Sequence, residues 1–171
     1  MTTPRPQDAT PTEVKLDIAV RTAVGTGRTP LSAFDHALLQ VGVGNFNLIP
    51  LSSVIPPGST VTRGGEPVAG GHGDRLYCVE AVAHADQPGQ RVAAGLGWTI
   101  HPTIGGLFVE HRGESAAEVE EQIRLSLEDL AANRGVDFGP VSSAVVEAEC
   151  TDLPVCALAI ASYTTVEWEV A

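Results

Sequence analysis

Val14, Leu16, Ile18 and Val20 alternate with polar or small neighbours across Glu13–Arg21, the period of two that a half-buried strand requires, before the turn composition of Gly25–Gly27. The period then changes. Phe34, Ala37, Leu38 and Val41 recur at helical spacing, which predicts a short helix over Ser32–Val41, opened by a capping box of Ser32 with Asp35 and stopped by Gly42 and Gly44. Phe46–Ile55 reads as a mixed apolar strand, broken by Pro50, interrupted by the polar pair Ser52–Ser53 and closed by Pro56–Pro57–Gly58. Pro50 has no amide to donate, so this segment belongs at a sheet edge, a bulge or a strained turn.

Beyond a loop at Arg63–Asp74, the apolar runs Leu76–Ala85 and Arg91–His101 flank the turn-like Asp86–Gln87–Pro88–Gly89, which predicts a hairpin. Gly105–His111 adds a short strand. Ser115 and Glu118 then form a second capping box. Val119, Ile123, Leu127 and Leu130 mark the apolar stripe of a long helix ending at Gly135, with Glu120, Glu121, Arg124, Glu128 and Asp129 on its solvated face. Val141–Cys150 and Val155–Val170 are strand-rich runs joined at Thr151–Pro154. Many strands with short connections and two helices predict an α+β fold, a layered sandwich of mostly antiparallel sheets covered by helices, of αββα type.

Composition narrows this further. With 171 residues, 43% apolar and 18% charged, the chain is expected to form one domain over residues 14–171 after a disordered tail at 1–13. The opening MTTPRPQDATPT has no apolar run, so neither a signal peptide nor a membrane span is expected. Cys78, Cys150 and Cys156 offer no disulfide framework and no paired metal spacing, and a reducing cytoplasm is the expected setting. A formal charge of -11 disfavours nucleic acid and anionic lipid as partners. The histidines at 36, 72, 84, 101 and 111 show no ligand spacing, so no metal site is expected. Gly64–Gly73 reads as a mobile loop, not as a phosphate cradle.

The most unusual passage is GVGNFNLIPLSSVIPPG over residues 42–58, which puts two asparagines, two serines and several chain breakers into an apolar strand. Such conflict with the local pattern marks function, or else Ser52 and Ser53 simply satisfy backbone groups at a strand end. This block, with LSAFDHALLQ upstream and FVEHRG downstream, resembles the pyruvoyl-dependent arginine decarboxylase family in order and spacing, from Leu31 to Gly113, about half of the chain.

The resemblance implies a proenzyme cut between Ser52 and Ser53 into fragments 1–52 and 53–171, with Ser53 converted to a covalent pyruvoyl cofactor. It implies that Asn47, six residues before Ser53, supports the cut. A carboxamide donor suits the oxyanion that forms there. It also implies that Glu110 is the proton donor in decarboxylation and that Asp35 contacts the guanidinium of L-arginine. Leu38, Gly44, Phe46 and Ser52 are expected to line the pocket, and the assembly is expected to be a homotrimer or a multiple of trimers with sites between subunits. His111 is a candidate neighbour for Glu110. Two rival readings remain at this point: an unprocessed, non-catalytic homologue serving as a ligand-binding or structural subunit, and a self-cleaving hydrolase that keeps Ser53 as an N-terminal nucleophile.

Overall fold

The computed structural model describes residues 15–169. The tail expected at residues 1–13 lies outside them, as do Glu13 and Val14 of the first expected strand. The elements are β1 (Asp17–Thr26), α1 (Pro30–Gln40), β2 (Asn47–Pro50), β3 (Val54–Ile55), β4 (Thr60–Arg63), β5 (Arg75–Ala85), β6 (Arg91–His101), β7 (Gly105–Gly113), α2 (Ala116–Arg134), β8 (Ser142–Glu149) and β9 (Val155–Val166). They form a five-stranded sheet in the order β2-β5-β9-β1-β4 and a four-stranded sheet in the order β3-β7-β6-β8. Among the described residues only the β1–β4 and β2–β5 pairs are parallel.

Four layers result, as the αββα expectation requires. Ile18, Val20, Val79, Ala81, Ala159 and Ala161 of one sheet pack on Val92, Ala94, Leu96, Trp98 and Phe108 of the other. Helix α1 buries Ala33, Ala37 and Leu38 against Cys156, Leu158 and Ile160 on the outer face of the five-stranded sheet. Helix α2 buries Val119, Ile123 and Leu127 against Ala93, Leu107 and Val109 on the outer face of the four-stranded sheet.

Several local expectations need correction. Strand β1 runs on through Gly25, because α1 packs so close that a Cβ there would lie 2.0 Å from the Ala33 carbonyl oxygen. The capping box of α1 is Thr29 with Ser32, one turn earlier than expected. The Ser32 amide donates to Thr29 Oγ1 at 3.1 Å and the Thr29 amide donates to Ser32 Oγ at 3.0 Å. Pro30 in the first turn favours this earlier start, and Asp35 is left out of the cap and exposed. At α2 only half of the box forms: Ser115 accepts from the Glu118 amide, while the Glu118 carboxylate takes the Glu114 amide. Gly135 ends that helix with φ 64°.

The expected hairpin of β5 and β6 does not exist. The turn after Ala85 carries the chain from one sheet into the other, and its Gly89 and Gln90 are hydrogen-bonded to Cys150. Strand β5 already has β2 and β9 as ladder neighbours, so it meets β6 face to face across the core. Strand β4, unannounced by any apolar run, adds in parallel at the other edge.

The central strand β6 lies directly under α2 because it is glycine there. A Cβ on Gly97 would fall 2.0 Å from Ile123 Cγ2. Gly97→Ala is expected to cost about 1–3 kcal/mol through overpacking, read as a lowered midpoint in thermal melting. An unchanged midpoint would mean that the helix can lift at no cost.

Candidate active site

The segment expected as one strand divides into two. Strand β2 is an edge of the five-stranded sheet and β3 an edge of the four-stranded sheet, and Leu51, Ser52 and Ser53 cross between them. The edge placement of Pro50 follows from its missing donor. Each side of the crossing is anchored. The Leu51 amide donates to the Cys78 carbonyl at 2.8 Å, and the Phe108 amide donates to the Ser53 carbonyl at 2.8 Å.

Between these anchors Ser53 takes φ 71°, the one positive value at a non-glycine among the described residues. An L-residue held there stores about 1–3 kcal/mol of backbone strain. Ser53 is buried, and its hydroxyl donates to the Glu110 carboxylate. Glu110 shares a face of β7 with Phe108, turned toward the gap between the sheets. It is exposed because the two-residue β3 covers only Gly106 and Leu107 of β7.

Two further groups hold this corner, and neither was marked by a motif or a periodicity. Tyr163, the extra residue of the bulge in the β5–β9 ladder, donates its hydroxyl to the Val54 carbonyl at 3.2 Å and stacks at a tilt on Phe108. Burial, with the Glu110 charge adding to it, pushes the Tyr163 phenol above its ordinary range. The Phe108 amide is a backbone donor, which no residue pattern advertises. His111 points the other way, with Nε2 2.8 Å from Ser126 Oγ of α2, so it does not pair with Glu110.

The remaining expected residues fall into a second group. Asn47 opens β2, and its carboxamide donates to the Gly73 carbonyl at 2.6 Å. Trp168 donates to the same carbonyl at 2.8 Å. Leu38 and Phe46 belong to the cluster under α1, with Phe46 closing on Gly70, and Gly44 lies against Leu39. Asp35 is on the exposed side of α1. Asp35, Leu38 and Phe46 stand on the α1 side of the five-stranded sheet, whereas Glu110 faces that sheet's other side, and alternation along β2 turns Asn47 away from Leu48 and the α1 face. Ser52, exposed at the crossing, adjoins both.

The glycine-rich loop expected to be mobile is hydrogen-bonded along its length. Arg21 holds the Gly65 and Glu66 carbonyls, Thr165 holds Ala69 at 2.8 Å, and the Gly73 amide donates to Asn45 at 2.7 Å. Among the described residues no group of three or more His, Cys, Asp or Glu side chains is arranged for a metal ion, and no helix is long and apolar enough to cross a membrane.

Fold and site define a class: a two-sheet sandwich that carries a strained serine, bonded to a carboxylate, where its chain crosses from sheet to sheet. Comparison with known proteins places the chain within that class. The family model for pyruvoyl-dependent arginine decarboxylase matches residues 17–168. A pyruvoyl-dependent arginine decarboxylase of Thermococcus kodakarensis is 37% identical over 140 residues, covering 81% of this chain and 88% of the relative. The protein of that name from Methanocaldococcus jannaschii is 32% identical over 139 residues, covering 80% and 82%. That of Halobacterium salinarum is 39% identical over 102 residues, covering 58% and 63%. The chain belongs to the pyruvoyl-dependent arginine decarboxylase family.

Proposed function

We propose that this chain is a proenzyme that cuts itself between Ser52 and Ser53 and then converts L-arginine to agmatine and CO2. The observation that carries the reading is the Ser53 hydroxyl seated on Glu110 in a strained, doubly anchored crossing. The site fits a serine-derived pyruvoyl group. Its future carbonyl carbon lies in a buried corner, and its amide carbonyl already accepts the Phe108 N–H.

Cleavage begins when the Ser53 oxygen attacks the Ser52 carbonyl. The peptide C–N bond breaks, an ester bond to Ser53 Oγ replaces it, and the Ser53 nitrogen becomes a free amine. Glu110 aligns the hydroxyl, and the strain at Ser53 raises the starting state toward the intermediate. Asn47 exchanges the Gly73 carbonyl for the oxyanion and stabilises it there, a contribution of about 2.7–4 kcal/mol for a donor of this kind. Loss of the Ser53 Cα proton then expels the Ser52 carboxylate. The charge that develops on the Ser53 carbonyl is met by the Phe108 amide. One water adds and one ammonia leaves, so that fragment 53–171 begins with a ketone.

The pyruvoyl group supplies an electrophile that condenses with the substrate amine and draws off the electrons released with CO2. Glu110 returns a proton to the substrate α-carbon. Asp35 takes the guanidinium, for which a carboxylate is the matched partner of a planar fork of donors. The placement of Asp35 and Glu110 on opposite sides of the five-stranded sheet supports a pocket shared between subunits, and the family resemblance implies a homotrimer or a multiple of it. Val54, 58% exposed beside Ser53, is an apolar residue such an interface would cover. The reaction needs no secreted or membrane setting, and we place the enzyme in the cytoplasm, with no nucleic-acid partner.

Mass spectrometry of matured protein tests this. Under denaturing conditions, two fragments are expected, the larger one lighter by one ammonia than a fragment beginning with serine. Native spectra should show three copies of each fragment or a multiple. An intact chain after prolonged maturation sinks the reading, and an ordinary serine amine would favour an N-terminal nucleophile hydrolase. No observation favours the non-catalytic subunit.

A further inference from the structure

Glu80 is a shielded carboxylate that neither the fold nor the proposed cleavage uses. It lies on β5 between Cys78 and Val82, which face α1, so strand alternation turns Glu80 to the same side. Its Oε2 is closed to solvent and has no hydrogen-bond partner. No lysine or arginine among the described residues bridges to it. Burial raises its carboxyl above the usual range. Burial first, and then the Glu80 charge, pushes the Cys78 thiol up to about 12 and that of Cys156 up to about 11. Glu80 is half-buried on a face that carries Cys78 and Val82, and a shielded carboxylate oxygen without a partner is a costly feature to keep for packing alone.

Its position is informative. Strand β2 pairs Pro50 with Cys78, and the Leu51 amide continues that ladder to the Cys78 carbonyl, which brings Ser52 level with Glu80. Leu48 packs on the α1 side and Leu51 on the inner side, so alternation puts Ser52 on the Glu80 face. The same face carries Leu38 and Phe34 of α1, and Phe34 meets His84 edge-on two same-face positions along β5 from Glu80. Glu80 thus lies on the α1 face of β5, between the edge strand that leads to Ser52 and the β9 residues that α1 covers.

We propose that Glu80 is a specificity-determining residue whose carboxylate takes the guanidinium of the substrate together with Asp35. The proposal rests on the decarboxylase reading above and adds a second acceptor to its pocket. A guanidinium presents five N–H donors, more than one carboxylate can satisfy. A shielded carboxylate with a free oxygen supplies acceptors at the right place, and neutralising it gives arginine an advantage over an uncharged analogue of equal shape.

Glu80→Gln keeps the shape and removes the charge. In the matured protein its agmatine affinity, measured by calorimetry, is expected to fall by about tenfold or more, with the KM for arginine rising alike and kcat changing less than about twofold. Discrimination between arginine and citrulline, its neutral isostere, should narrow by a similar factor. Cleavage before Ser53 should proceed normally, which also reports a native fold. Unchanged agmatine affinity and KM would overturn the proposal, as would loss of cleavage in a variant that melts like the parent. Agmatine binding is read without turnover. A parent protein that binds agmatine but releases no CO2 therefore refutes the activity and not the role of Glu80.

Discussion

Ser53→Ala leaves the chain uncut, at its full 171 residues, however long it is kept. The variant deletes one atom, the nucleophile, and no neighbouring group takes its place. The other hydroxyl at the crossing belongs to Ser52, whose carbonyl carbon is the one to be attacked, and attack from its own side chain would close a four-membered ring. The backbone around position 53 is kept. Its carbonyl still accepts the Phe108 amide, Leu51 still donates to Cys78, and alanine meets the same resistance to φ 71° that serine does. The lost hydrogen bond returns an exposed Glu110 to water, so the cost in stability is under about 1 kcal/mol. Denaturing mass spectrometry reads the cut and thermal melting reads the fold. A variant that melts like the parent and still divides before residue 53 removes Ser53 from the chemistry.

That expectation joins a feature visible in the sequence to one that was not. The serine pair stood out because it broke an apolar strand, and Pro50 correctly put the break at an edge. Nothing in the letters said that the two halves of that strand belong to different sheets. Alternation reports which face a residue takes, and it is silent about which strand lies beside it. The same gap explains β5 and β6. Their apolar runs are strands and the turn between them is real, yet a turn of that length can close a ladder or cross a core. Strand β4 escaped because its four residues gain their order from β1, 43 residues away at every paired position, and not from a pattern of their own.

Helix α2 was legible almost to the residue, since its stripe, its Ser115 cap and its Gly135 stop all agree. Helix α1 was legible with its start misplaced, because Thr29–Ser32 and Ser32–Asp35 both have capping spacing and only Pro30 separates them. For the site, the residues of one chain divide by distance in the fold. Ser53 and Glu110 meet although they are 57 positions apart, and this pairing came from family resemblance, not from periodicity. The positive φ of Ser53 had no marker, because serine does not advertise it as glycine would. Glu80 looked like one more acidic residue in a strand until the β2–β5 register brought it level with Ser52.

The second large effect separates the two chemistries that Glu110 serves. In Glu110→Gln the amide oxygen accepts the Ser53 hydroxyl as the carboxylate does, and the strain at Ser53 and both backbone anchors remain. Cleavage is therefore expected to run to completion. Decarboxylation is not, because a carboxamide has no proton to give to the substrate α-carbon, and loss of a positioned acid costs about 10²–10⁴ in rate. Proton delivery occurs after the substrate is bound, so kcat and kcat/KM should fall together and agmatine affinity should stay near that of the parent. This is the opposite signature to Glu80→Gln, which moves binding and spares kcat. Fragment masses, CO2 release and agmatine calorimetry on one matured preparation check all three. A Glu110→Gln enzyme that is fully cut and keeps the parent rate would assign the proton to another group. One that is properly folded and remains uncut would make Glu110 the base that starts the cleavage, with its ionised form, and not merely its hydrogen bond, required at Ser53.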